Sequence, residues 1–89
     1  MRRGVKVVAK EWHQQVPAIL VVDREEGEYR KDAVLPFLPR AGDELGVGPR
    51  GDYIKVETVY WCAEDGLTVW FVDKPETHCL VADGWRLQT

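Results

Sequence analysis

The chain has 89 residues, 45% of them apolar and 30% charged, with a net charge of −3. That length fits a single domain over residues 1–89, one that hides roughly 60–65% of its surface, and the composition excludes a disordered chain. No apolar run approaches the roughly 20 residues of a membrane-spanning helix, and Met1-Arg2-Arg3-Gly4-Val5-Lys6 is not followed by a signal-peptide core, so the expected address is the cytoplasm.

Serine and asparagine are both absent, which removes serine nucleophiles and N-glycosylation acceptors together. Charge is uneven along the chain. Arg2, Arg3, Lys6 and Lys10 precede the first acid, Glu11, whereas Asp23, Glu25, Glu26 and Glu28 cluster. The negative total weighs against a chain built mainly to grip phosphates.

In chain order, residues 4–12 read as a first strand with Val5, Val7 and Ala9 on one face. Pro17 cannot donate to a ladder, and the β-branched run 18–22 after it reads as a second strand. Asp23-Arg24-Glu25-Glu26-Gly27 is a polar turn, and residues 29–35 return as a third strand. Leu35 and Leu38 each precede a proline, which holds both extended and forbids a helix. Arg40-Ala41-Gly42 is a tight reversal before a short strand over 43–47. Gly48-Pro49-Arg50-Gly51 turns the chain again, into a long strand from Asp52.

That strand changes phase. Ile54 and Val56 are even-numbered, but the apolar set resumes at Val59 and Trp61, so a bulge is expected near Glu57-Thr58. Glu64-Asp65-Gly66 then closes a hairpin with a three-residue loop, pairing Ala63 with Leu67, Trp61 with Val69 and Val59 with Phe71. The opposite face carries Thr58, Tyr60, Cys62, Thr68, Trp70 and Val72, an aromatic set for a surface. After Asp73 two readings compete. Asp73 as cap, Pro75, Glu76 and Gly84 describe a helix, whereas the β-prone run 79–82 and the hairpin signal Asp83-Gly84, with Trp85 and Leu87 on a return strand, favour β structure; a loop, a short strand and a tail are preferred.

Leu35-Pro36-Phe37-Leu38-Pro39-Arg40-Ala41-Gly42-Asp43-Glu44, a glycine turn, and Tyr53-Ile54-Lys55-Val56-Glu57-Thr58-Val59-Tyr60-Trp61 together resemble small bacterial β-barrel proteins with an LPFxPRxGDE segment followed by YxVxxVxW. The resemblance covers about the middle third of the chain. It implies an SH3-like barrel and assigns no catalytic residue. The fold expected is therefore all-β, a small SH3-like antiparallel barrel of five or six strands with N- and C-terminal extensions. Its expected core is Ile19, Val21, Leu35, Leu38, Leu45, Ile54, Val56, Val59, Trp61, Val69 and Phe71.

Cys62, Cys79, His13 and His78 are the soft metal ligands, but they lack CxxC or HxxxH spacing, so no metal and no cofactor are expected. His78 and Cys79 are adjacent, so in a strand they point to opposite faces, and nothing places a thiol, an imidazole and an oxyanion donor together; the acid pairs Asp43-Glu44 and Glu64-Asp65 lie in or beside turns, where carboxylates bond backbone amides. No enzyme is read here. Arg50-Gly51-Asp52 spells an adhesion tripeptide in a turn that demands its glycine anyway. The function expected is a non-catalytic module that binds a protein partner, or itself, through Trp12, Tyr60 and Trp70. The alternative is a nucleic-acid-binding barrel with Arg2, Arg3, Lys6 and Lys10 on phosphates and exposed tryptophans stacking on bases.

Overall fold

The computed structural model describes residues 15–47 and 52–88. The first strand read at 4–12 and the turn at 48–51 lie outside them. Within them run β1 (Val16–Arg24), β2 (Gly27–Leu35), β3 (Glu44–Val47), β4 (Asp52–Cys62), β5 (Gly66–Phe71), α1 (Thr77–Ala82) and β6 (Arg86–Gln88). They form one six-stranded sheet in the order β3-β4-β5-β1-β2-β6.

The fold is mostly β as expected, but β3 and β6 stand at the two edges of the sheet and the described strands do not close into a barrel. Nor is the sheet wholly antiparallel. β1 pairs parallel with β5, Ala18 opposite Leu67 and Leu20 opposite Val69. Turn chemistry specifies only neighbours joined by a hairpin, and this pairing joins two separate hairpins, β1–β2 and β4–β5. As a central strand with buried residues on both of its faces, β1 is apolar without a break over 18–22.

That run also hides its phase. The core face is Ala18, Leu20 and Val22, not Ile19 and Val21. Val21 is fully buried nonetheless, on the opposite face between Arg30 and Trp70. Leu35, Leu45, Ile54, Val56, Val69 and Phe71 are core residues as expected, joined by Tyr29, Leu67, Leu80 and Trp85, with Val59 packed against them. Leu38 is exposed. The chain bends at Pro36 and Phe37, where Phe37 packs against the core and Pro39 is buried, while Leu38 between them turns outward.

The turn at 39–43 is built by Asp43. Its buried carboxylate accepts the Arg40 amide at 2.9 Å, and its own amide donates to the Arg40 carbonyl at 3.0 Å. Gly42, at φ +91°, presents its amide to the Val56 carbonyl at 2.8 Å, and the Val56 amide returns a bond to the Asp43 carbonyl at 2.7 Å. Glycine and aspartate of the PRxGDE stretch thus tie the turn to β4.

The register shifts between Val56 and Thr58, the bulge read from the sequence. The next hairpin has the three-residue loop expected, but over 63–65, with Cys62 opposite Gly66. Trp61 therefore faces Leu67, and Val59 faces Val69. The slip from the expected pairs is two residues, which preserves every side chain's face.

Past β5 the chain forms a helix, not the strand and tail preferred from sequence. Leu80 and Trp85 decide it. The Trp85 amide donates to the Leu80 carbonyl and the Gly84 amide to the Val81 carbonyl, with Gly84 at φ +88°. This Schellman closure brings the residue after the glycine onto the residue starting the last turn, and both are core. Burial of that pair outweighs the β propensity of the run 79–82, to which Val81 contributes most. Asp73 is not the cap: its carboxylate accepts the Lys55 amide at 2.7 Å, beside the bulge, and Glu76 takes the cap position without a side-chain bond.

Candidate functional site

Of the residues read as partner-binding, Trp12 lies outside the described residues, as do Arg2, Arg3, Lys6 and Lys10 of the nucleic-acid alternative. Tyr60 and Trp70 are described and lie together. Tyr60 pairs with Thr68 and Thr58 with Trp70 across β4 and β5, so alternation puts all four on the face away from the core. The two rings meet edge to face, centroids 6.5 Å apart and planes at 88°. Trp70 is half-buried and Tyr60 is 56% exposed. A recess of about 350 Å³ opens beside them, lined by Glu57, Thr58, Tyr60 and Trp70.

Trp61, expected in the core, is 73% exposed. Its parity is that of Val59, Leu67 and Val69, yet its cross-strand partner Leu67 is a core residue while the larger indole stays outside the cluster. It forms one wall of an open groove with Val16, Ala18, Ala33, Val34 and Leu67, near Asp32 and Asp65. Arg30 approaches Asp65 at 3.7 Å and holds Glu28 at 3.1 Å. Alternation alone carried no hint of this exposure.

Trp85 is buried; it packs at 6.4 Å on Phe71, and its indole N–H donates to the Asp83 carboxylate at 2.9 Å. Lys31 reaches the same carboxylate at 3.0 Å.

At the other end, the β1–β2 turn grips the start of α1. Arg24 donates to the carbonyls of Lys74 at 3.2 Å and Pro75 at 2.7 Å. Glu26 accepts the Thr77 hydroxyl at 2.5 Å and the Tyr29 hydroxyl at 3.1 Å. The Thr77 bond, above all, holds the Glu26 carboxyl down at about 2, with its own backbone amide, Tyr29 and Arg24 acting the same way.

Cys62 and Cys79 are free and exposed, and His78 faces Glu76 at 3.4 Å on the surface. Among the described residues no three His, Cys, Asp or Glu side chains gather as metal ligands. Glu64 and Asp65 lie in the β4–β5 loop, and Asp43 is committed to its turn. Neither a family model, nor a curated protein, nor a solved structure matches this chain.

Proposed function

We propose that the chain is a non-catalytic interaction module that binds a protein partner, or a second copy of itself, through the face around Tyr60 and Trp70. One observation carries this reading. The fold buries Tyr29, Phe71 and Trp85, yet keeps Tyr60 56% exposed against Trp70 on a regular sheet surface. Aromatic rings so placed supply large contact area with little conformational entropy to lose. The SH3-like scaffold belongs to the same proposal. Its support is β4, one long strand that pairs with β3 before the bulge and with β5 along and beyond it.

Against the nucleic-acid alternative stands the sign of the scaffold. Residues 15–47 and 52–88 hold seven Lys and Arg against fourteen Asp and Glu. A sheet of that charge repels a phosphate backbone.

The test compares Trp70→Asp with Val34→Asp, a change at another exposed apolar residue, in sedimentation equilibrium and in capture from a lysate of the source cells. Both variants must retain the wild-type circular dichroism. Loss of association in Trp70→Asp alone is expected. Association that ignores Trp70→Asp, or salt-reversible binding of oligonucleotides by the wild type, contradicts the reading.

A further inference from the structure

We propose that the corner between Tyr60 and Trp70 is a cation pocket that takes a lysine or arginine side chain of a protein partner, with Glu57 as its counter-charge. The proposal rests on the reading of this face as the interaction surface and names the chemistry it recognises.

Three observations converge on it. Two aromatic planes at 88° with centroids 6.5 Å apart make two walls of a corner, and the electron-rich face of a ring attracts a cation brought against it. The recess beside them is lined on its remaining sides by Glu57 and Thr58. Last comes the bulge. Strict alternation from Val56 puts Glu57 on the face opposite Thr58 and Tyr60, but the register shift between Val56 and Thr58 lets it line the same recess as both. The irregularity that bends β4 therefore also delivers a carboxylate to the aromatic corner.

Charge selects the occupant. Among the described residues Glu57 has no hydrogen-bond or ion-pair partner. The scaffold around it is acidic, with fourteen Asp and Glu against seven Lys and Arg over 15–47 and 52–88. An anion is repelled there, and a neutral apolar side chain gains nothing from the carboxylate. A long basic side chain satisfies both halves, its methylenes along the rings and its charge at Glu57. The groove at Trp61 lacks this match, because among the described residues a single aromatic ring, that of Trp61, lines it.

The experiment is a proton–nitrogen correlation titration of the labelled full chain at low salt. The probes are N-acetyl-lysine methylamide, N-acetyl-arginine methylamide and the uncharged N-acetyl-norleucine methylamide. The expected result is saturable shifts of the Trp70 indole and of the Thr58 and Tyr60 amides with both cations, with norleucine weaker by about tenfold or more. Glu57→Gln weakens the cations about fivefold, and added salt weakens them further. Equal shifts with norleucine, silence with both cations, or indifference to Glu57→Gln overturns the cation pocket. If the cations fail while association still depends on Trp70, the interaction face stands and the pocket falls. If they bind while association ignores Trp70→Asp, the face falls as a partner site, and the partner assigned to this pocket falls with it.

Discussion

The amide of Trp85 donates to the carbonyl of Leu80 at 3.0 Å across Gly84, and both side chains lie in the core. This single closure turns a six-residue helix, too short to persist alone, into part of the domain. Gly84 sits at φ +88° with open space around the position of a Cβ. Gly84→Ala therefore incurs backbone strain and no clash, and is expected to cost about 1–2 kcal/mol in urea denaturation. Trp85→Ala removes the indole against Phe71 and is expected to cost about 3–5 kcal/mol. A Gly84→Ala midpoint equal to wild type contradicts the closure.

Asp43 is structural. Asp43→Ala removes a buried carboxylate and leaves the part-buried Arg40 amide without its acceptor, and is expected to cost about 1–3 kcal/mol, with Asp43→Asn retaining an oxygen there and losing less. Urea midpoints for the pair check it; equal losses from both variants contradict the geometry.

Acid loosens the contact between the β1–β2 turn and α1. Glu26 titrates at about 2 in the fold against 4.5 ordinarily, so between those values the unfolded chain holds the proton and the folded chain does not. Its contribution is complete above pH 4.5 and is lost as pH falls toward 2. Urea midpoints measured from pH 2 to pH 5 are expected to fall less steeply in Glu26→Gln than in wild type. Parallel profiles contradict the assignment.

Trp61→Thr is expected to change stability by no more than about 0.5 kcal/mol, because the ring is 73% exposed at the end of its row. Denaturation of this variant beside Val59→Thr separates an uncovered position from one packed against the core. A loss at Trp61 as large as that at Val59 contradicts the exposure.

Legibility followed locality. The bulge, the loop length and the placement of Tyr60, Thr68 and Trp70 on one face were readable because each depends on neighbours in sequence. Some local readings failed too, at Leu38, at Trp61 and in the two-residue slip of the hairpin pairs; the larger failures were set by distant partners. The phase of 18–22 depends on Leu67 and Val69 in another hairpin, and the helix depends on Leu80 and Trp85 meeting the same core. Of the candidate site, Tyr60 and Trp70 were found from alternation. Glu57 was missed, although the bulge that carries it was expected, because an irregularity's effect on side-chain direction is not written in its sequence.

The most direct measurement of the central claim is photo-cross-linking with p-benzoylphenylalanine in place of Tyr60, beside the same substitution at Val34. The account predicts protein adducts from position 60, suppressed by Trp70→Asp, and none from position 34. No adduct from position 60, or equal adducts from both positions, contradicts it.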